Sequence, residues 1–220
     1  MHQAVRRRSA IAAVVALLAA AGPGLAADRA GDFAFYVLSL SWSPSYCLNA
    51  NRPDPSQCDA PPKGFVVHGL WPQYEYGYPQ YCDSDQPRRV RRSTLTDIAD
   101  VMPSPGLAQY QWEKHGICSG LRQEKYFALV RSAVDKVVIP PQLVAPVADT
   151  AMTPAALEDA FAAANPGLQT RGMAVGCSRD GGIEVRICLG KDLSFRRCAE
   201  VDRDSCRRSS VVLPAAGARR

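Results

Sequence analysis

Eight cysteines constrain this chain more than any other feature of its sequence. They are spread widely along it, at Cys47, Cys58, Cys82, Cys118, Cys177, Cys188, Cys198 and Cys206. An even number of cysteines in an exported chain predicts a framework of up to four disulfides, whose pairing the spacing alone does not fix. A zinc site is the alternative, but it favours close Cys-x-x-Cys pairs, and this sequence has none. Only His115 and Cys118 have ligand-like spacing, so we expect neither a metal nor a cofactor.

The first 27 residues predict an export signal. Three arginines, Arg6 to Arg8, precede the apolar run AIAAVVALLAAA and the small residues GPGLAA, which is the order of a cleaved signal peptide. A buried N-terminal helix is the alternative. The run is shorter than the roughly 20 residues that span a bilayer, and no later stretch is long and apolar enough. We therefore expect a signal peptide at 1–27 and an exported chain, periplasmic or extracellular, with no membrane partner after cleavage.

Residues 28–220 are expected to form a single domain, with a core at about 33–206 and a flexible C-terminal tail. The whole chain carries 26 basic and 21 acidic residues, a net charge of +5. Without the three arginines of the predicted signal, 23 basic residues face 21 acidic ones, a net charge of about +2. Such a small excess is not typical of a protein that holds nucleic acid by charge alone.

The hydrophobic pattern predicts strands at both ends of the chain and helices between them. FAFYVLSLSW (33–42) and GFVVHGLW (64–71) are typical of strands, the second with Val66, His68 and Leu70 on one face. A loop is expected over 47–62. GMAVGC and IEVRICL flank SRDGG and predict a hairpin. Further elements are expected as a strand near 194–198 and helices at 93–102, 104–116, 122–138 and 153–164. The predicted fold class is α+β, a mainly antiparallel sheet packed with several helices and stapled by about four disulfides.

Only three histidines occur, and His2 lies in the predicted signal. The other two, His68 in FVVHGLWPQY and His115 in YQWEKHGICSG, each precede a glycine. Buried core histidines are the alternative to a function. A pair of imidazoles, both titrating near neutral pH, supplies an acid and a base, and Lys114 supplies a cation for an oxyanion. This set suits phosphoryl transfer from a neighbouring hydroxyl, which RNA provides, and bases stack on aromatics such as those of 71–81.

The two histidine segments, in this order, resemble the two active-site segments of the ribonuclease T2 family. FYVLSLSWSPSYC resembles the opening strand of that family, and the resemblance extends over most of 33–206. It implies an endoribonuclease that cleaves single-stranded RNA, and not DNA, through a 2′,3′-cyclic phosphate without a metal. We also expect a monomer. The implied disulfides are Cys47–Cys58, Cys82–Cys118, Cys188–Cys198 and Cys177–Cys206.

The resemblance also assigns residues. It implies His68 as general acid, His115 as general base, Lys114 as the cation that stabilises the transition state, and Trp71 as a base-binding residue. The family commonly has His-Glu-Trp where this chain has Tyr110-Gln111-Trp112. A Gln amide and a Tyr hydroxyl both donate hydrogen bonds to a phosphoryl oxygen.

The remaining site predictions come from this difference and from the aromatic residues near the two histidines. We expect Gln111 to act with the catalytic residues, and Tyr110, Trp112 and Tyr74 to bind substrate beside Trp71. A catalytically lapsed, disulfide-rich binding protein of the same fold is the alternative function. RRVRR (88–92) is either a patch for RNA phosphates or a solvated surface run.

Overall fold

The computed structural model describes residues 28–59 and 63–218, so the predicted signal peptide lies outside the described residues. The strands are β1 Phe35–Trp42, β2 Phe65–Gln73, β3 Thr150–Met152, β4 Met173–Cys177, β5 Ile183–Leu189 and β6 Val211–Leu213. The helices are α1 Ser43–Asn49, α2 Pro55–Cys58, α3 Arg92–Ile98, α4 Pro105–Lys114, α5 Gln123–Lys136, α6 Pro154–Ala164 and α7 Ala199–Arg203. Within this described part of the chain, no helix is long and apolar enough to cross a membrane.

The main sheet has four strands in the order β2-β1-β5-β4, and every neighbouring pair is antiparallel. This arrangement confirms the predicted α+β class. Because side chains alternate along a strand, Leu38 and Leu40 of β1 enter the main core, whereas Phe35 and Val37 enter a smaller cluster on the other face. The sheet is thus covered by the main core on one side and carries a mixed polar and apolar surface on the other.

A small second sheet pairs β3 with β6. Residues 211–213 belong to the tail that the sequence led us to expect to be flexible. They form a strand there because Val211 and Leu213 are buried while their backbones bond to Met152 and Thr150.

A bulge in β2 determines where His68 lies. Ser39 pairs with Gly69 and Leu40 pairs with Val67, so His68 is an extra residue without a partner in β1. Such an extra residue breaks the alternation of side chains. The prediction that His68 shares a face with Leu70 is therefore wrong: Leu70 is fully buried, whereas the His68 side chain is 33% exposed.

Helix α4 brings the second histidine segment to the sheet. The Ser104 hydroxyl caps the helix by accepting a hydrogen bond from the Leu107 N–H at 3.2 Å, and Pro105 fills the first turn. The helix ends at Lys114, His115 is its C-cap, and residues 116–119 form a 3₁₀ turn. His115 therefore lies where the backbone leaves the helix.

Two predictions of local structure are wrong. The expected loop at 47–62 contains the end of α1 and all of α2. A proline fits the first turn of a helix, and Pro44 in α1 and Pro55 in α2 occupy such positions. The expected strand at 194–198 is reduced to a single bridge between Leu189 and Phe195.

Four disulfides hold the loops to this framework. They join Cys47 to Cys58, Cys82 to Cys118, Cys177 to Cys206 and Cys188 to Cys198, the same pairs that the family resemblance implies. The second fastens the loop after β2 to the turn after α4, and the fourth fastens β5 to the residue that precedes α7. These bonds fix the segments that surround the cleft described next.

Candidate active site

A cleft of about 740 Å³ lies on the sheet face opposite the main core. Residues from β2, β5, α4 and α7 line it, among them His68, Trp71, Gln111, Lys114, His115 and Arg186. A second cleft of about 440 Å³ adjoins the first and shares His68 and Arg186 with it. The structure thus brings together the two histidines, which are far apart in the sequence, and the lysine and glutamine predicted to act with them.

His115 is enclosed by aromatic rings. Only 6% of its surface is exposed, and the ring centroids of Trp71 and Tyr78 lie 5.3 Å and 5.5 Å from its own. Among the described residues, its Nδ1 has no hydrogen-bond partner. Burial, reinforced by the positive charges of Lys114 and His68, lowers the pKa of His115 to about 3. The expectation that both imidazoles titrate near neutral pH is therefore wrong for His115, which stays neutral well into the acid range.

His68 has the opposite surroundings. Its Nδ1 lies 2.5 Å from Oε2 of Glu184, a residue of β5. The other carboxylate oxygen accepts a hydrogen bond from Arg186 Nε at 2.6 Å, and Arg186 Nη1 donates to Asp204 Oδ2 at 2.7 Å. His68 is therefore held by a chain of charged groups that reaches the surface at Asp204.

Trp71 separates the two imidazoles and fixes Gln111. Its ring centroid is 5.3 Å from that of His68 and 5.3 Å from that of His115. Its Nε1 donates to Oε1 of Gln111 at 2.7 Å, which occupies the amide oxygen and leaves the amide N–H groups as donors at the cleft. Trp71 thus organises the site, in addition to the base-binding function that the resemblance implies.

Gly69 allows this close packing. A Cβ atom at Gly69 would lie 2.3 Å from Trp71 Nε1 and 2.6 Å from Gln111 Oε1. Real Cβ atoms essentially never approach other atoms so closely. A glycine in a strand often marks a close approach, and here the space is filled by the hydrogen bond between these two side chains.

Lys114 lies between two tyrosine rings. Its Nζ is 5.7 Å from the ring centroid of Tyr110 and 6.0 Å from that of Tyr78, distances at which a cation is attracted to an aromatic face. The Tyr110 hydroxyl is hydrogen-bonded to Tyr81, and this bond together with Lys114 lowers the pKa of Tyr110. Tyr110 is about half exposed and lines the cleft, as expected of a residue that meets substrate.

Two residues predicted to bind substrate lie elsewhere. Trp112 is fully buried in the main core, where its Nε1 donates to the Pro87 carbonyl at 2.8 Å. A side chain without exposed surface cannot stack on a base, so the structure does not support this assignment. Tyr74 packs against the core and donates to Asp28 at 3.2 Å, outside the cleft lining.

Sequence reasoning missed Glu184 and Arg186. They alternate with Ile183, Val185 and Ile187 along β5, a pattern that is typical of a strand with one solvated face. Nothing in that pattern indicates a partner more than 100 residues away. Tyr78, which packs on His115, was one of several aromatic residues in its loop, and the sequence did not distinguish it from them.

Other charged groups lie apart from the cleft. The backbone of the RRVRR run is held by Gln109 and Gln123, and Arg91 forms an ion pair with Glu124. These residues line neither cleft, which favours a solvated surface run over a patch for RNA phosphates. Within residues 28–59 and 63–218, no group of three or more His, Cys, Asp or Glu is placed to hold a metal ion.

The part of this chain that matches known proteins includes both histidines of the cleft. The profile of the Ribonuclease T2 family matches residues 33–198. A ribonuclease of Aeromonas hydrophila is 44% identical over 105 residues, which are 47% of this chain and 46% of that protein. The chain thus spans about half the length of this curated relative.

Solved structures share the fold. The RNase-related protein from Calystegia sepium has a TM-score of 0.65 at 23% identity, covering 84% of this chain and 98% of that one. RNase NT in complex with 5′-AMP has a TM-score of 0.60 at 21% identity, covering 84% of this chain and 99% of that one. At these identities the likeness shows the fold alone.

Proposed function

The chain belongs to the Ribonuclease T2 family, and we propose that it is an exported endoribonuclease that cleaves single-stranded RNA by transesterification. The observation that carries this proposal is that two imidazoles and Lys114 meet at one cleft. His115 is buried and its pKa is lowered to about 3, so its ring is neutral and suits a base, because a neutral imidazole accepts a proton. His68 is one-third exposed at the same cleft, and we assign it as the acid.

The reaction balances with these two groups. His115 takes the proton of the 2′-hydroxyl as that oxygen forms a bond to the adjacent phosphorus. The bond from phosphorus to the 5′-oxygen breaks, and His68 gives this leaving oxygen its proton. The products are a 2′,3′-cyclic phosphate and a new 5′-hydroxyl end. Water then opens the ring slowly to a 3′-phosphate, with acid and base exchanged.

Lys114 and Gln111 stabilise the charge that develops on the phosphoryl oxygens. Lys114 supplies a fixed cation, and Gln111 supplies amide N–H groups whose orientation Trp71 sets. Preorganised donors of this kind contribute most where water is excluded. These groups are enough for the reaction to proceed without a metal ion.

The clefts on either side of His68 suit nucleosides on the two sides of the scissile phosphate. Trp71, Tyr78 and Tyr110 line the larger cleft, and the exposed Tyr46 lines the smaller one. Aromatic faces stack on any base. We propose cleavage within single strands, since an unpaired base is free to enter such a cleft.

Export is the setting that best fits the chain. Four disulfides persist in an oxidising compartment, and the predicted signal at 1–27 provides the route. We propose that the exported chain, from residue 28, works as a monomeric single domain in the periplasm or the medium.

The test is product analysis with the purified, oxidised protein. Total RNA in excess EDTA should yield fragments with 2′,3′-cyclic phosphate ends, which chromatography and mass spectrometry identify. DNA of matched sequence should stay intact, because it lacks the attacking hydroxyl. Loss of activity in EDTA, or cleavage of DNA at a similar rate, would overturn the mechanism. RNA binding without cleavage would instead support the alternative, a catalytically lapsed binding protein of the same fold. The presence of both histidines and Lys114 argues against that alternative.

A further inference from the structure

Glu184 is a largely buried carboxylate that the proposed mechanism does not use. Its side chain is 15% exposed and bonds to two side chains of the cleft, His68 and Arg186. Burying a carboxylate is costly unless it is paired. The pairing here is with a residue that the reaction itself requires.

We propose that Glu184 is the positioning residue of the general acid: it holds His68 in one ring orientation and stabilises the imidazolium that donates the proton. The inference rests on the proposed function, because it takes His68 to be the acid. Arg186 in turn holds Glu184, and Asp204 holds Arg186.

The contacts account for both parts of the proposal. Nδ1 of His68 is committed to Glu184 at 2.5 Å, which leaves Nε2 as the nitrogen available to the leaving oxygen. A carboxylate on one imidazole nitrogen fixes the tautomer and stabilises the protonated ring, as in the Ser-His-Asp triad. Arg186 binds the second carboxylate oxygen at 2.6 Å, so Glu184 cannot rotate without losing that bond.

The charge state of Glu184 agrees with this function. Burial alone would raise its pKa, but the hydrogen bond and the charge of His68, together with Arg186, lower the pKa of Glu184 to about 2. The group is therefore an anion throughout the range in which a protonated imidazole is needed.

The sheet is built so that the two side chains meet. His68 is the extra residue of the β2 bulge beside Ser39, and Glu184 pairs with Ser41 across the neighbouring ladder. Strand β1 lies between them, and it presents only the short side chains of Ser39 and Ser41 there. The bulge and the two serines together let an imidazole and a carboxylate touch across a whole strand.

The test compares two leaving groups. The leaving group of a dinucleoside phosphate is a 5′-alkoxide, which is unstable and needs an acid to protonate it. The leaving group of a nucleoside 3′-(4-nitrophenyl phosphate) is a stable phenolate, which needs no acid. For Glu184→Gln we expect kcat/KM to fall by roughly 10- to 100-fold on the dinucleotide, within the contribution of an acid group. On the nitrophenyl ester we expect less than about a threefold loss, because the base and Lys114 are intact.

Two reference variants separate this inference from the proposed function. His68→Ala should lose activity on the dinucleotide and be largely spared on the ester, whereas His115→Ala should lose activity on both. If the histidines exchange these patterns, the acid and base of the proposed function are reversed and Glu184 does not position the acid. A wild type that cleaves neither substrate overturns the proposed function and this inference together.

A matched carboxylate controls for stability. Glu158 of α6 accepts hydrogen bonds from Val175 N–H at 3.0 Å and Ser205 Oγ at 2.6 Å and lines neither cleft. Glu158→Gln should leave the ratio of kcat/KM on the dinucleotide to kcat/KM on the ester at its wild-type value. If Glu184→Gln also lowers both substrates equally while His68→Ala spares the ester, Glu184 is merely structural. Should Glu184→Gln fail to fold, Glu184→Asp, which keeps the charge but shortens the reach, is judged by the same ratio.

Discussion

The two histidines of the cleft are held in opposite ways. His68 lies on a strand bulge, is one-third exposed, and is tied by Nδ1 to a carboxylate that an arginine holds in turn. His115 caps a helix, is almost fully buried, and packs between aromatic rings. The surroundings of His68 are polar and charged, whereas those of His115 are apolar and favour a neutral ring.

In the proposed mechanism, this contrast lets one side chain type serve as both acid and base. Apolar surroundings with a neighbouring cation lower the pKa of His115, whereas Nδ1 of His68 is hydrogen-bonded to a carboxylate. Acid–base pairs are commonly separated by environment in this way. It follows that changes at each histidine should have different signatures, which the following experiments test in order of expected effect.

Removing either imidazole should have the largest effect. General acid–base catalysis contributes roughly 10²–10⁴ per group, so His68→Ala and His115→Ala should each lower kcat/KM on RNA by at least about 100-fold. The double variant should be little worse than either single one, because acid and base act as a unit. Steady-state kinetics on a dinucleotide measure this, and near wild-type activity of His115→Ala would contradict the assignment.

Filling the gap at Gly69 should disturb both sites at once. Gly69→Ala places a Cβ 2.3 Å from Trp71 Nε1, so Trp71 has to move away from Gln111 and both histidines. Overpacking of this kind costs about 1–3 kcal/mol of unfolding free energy, and the rate should fall by tenfold or more, on the order of the loss of one oriented group. Urea unfolding and kinetics measure the two effects.

The control for Gly69→Ala lies on α4. Gly106 has open space around its Cβ position, the nearest atom being 4.0 Å away. Gly106→Ala should keep full activity and gain about 0.5–1 kcal/mol, because alanine is the better helix former. Equal losses in the two variants would show that the crowding at Trp71 is unimportant.

The stability of the fold should record the two environments separately as pH changes. His115 has a folded pKa of about 3 against about 6.5 when unfolded. Below pH 6.5 the imidazole of His115 binds a proton in the unfolded chain but not in the folded chain. Stability is therefore lost as the pH falls from about 6.5 to 3, by on the order of 4 kcal/mol.

Glu184 acts in a lower window. Its folded pKa of about 2 is below its unfolded value, so its contribution is present above about pH 4.5 and is lost as the pH falls through 2. Urea unfolding from pH 7 to 2.5 measures the unfolding free energy as a function of pH. Between pH 6.5 and 4.5, this free energy should depend less steeply on pH in His115→Gln than in the wild type, whereas Glu184→Gln should keep the wild-type slope. Equal slopes in that window would show that His115 does not carry the predicted penalty.

The smallest effect is expected from converting the site towards the usual family residue. Gln111→Glu puts a negative charge beside His115, which should raise the pKa of His115 and move the acid limb of the pH–rate profile to higher pH. Gln111→Ala cannot titrate, so it should lower the rate without moving that limb. A limb that stays in place for Gln111→Glu would mean that the charge at residue 111 does not reach His115.

The sequence predicted the large elements of the fold well. The alternation in IEVRICL, the serine–proline start of α4 and the periodicity of α5 are local signals, and the structure has an element at each of them. Helices α1 and α2 were missed because short helices that begin with proline look like proline-rich loops. In place of the expected strand at 194–198, the chain forms a turn at 190–193 and a single bridge to β5.

For the candidate site, too, the sequence predicted some residues and misjudged others. His68 lies in one recognisable segment and Lys114 and His115 lie in another, so the sequence was enough to select them as candidates. Trp112 was misplaced because its neighbours on α4 face the cleft while it lies on the buried side of the same helix. A motif records which residues occur together, but the direction of each side chain depends on what the helix packs against.

By itself, the sequence determined which groups are available: two imidazoles, a lysine, and cysteines enough for four disulfides. Only the tertiary structure decided how those groups behave. The register of β1 with β2 and β5 places Glu184 against His68 across 116 residues of sequence, and the aromatic packing around His115 sets its protonation. Both effects act through space over a few ångströms. Distances of that kind are set by the folded chain and leave no local pattern in the sequence.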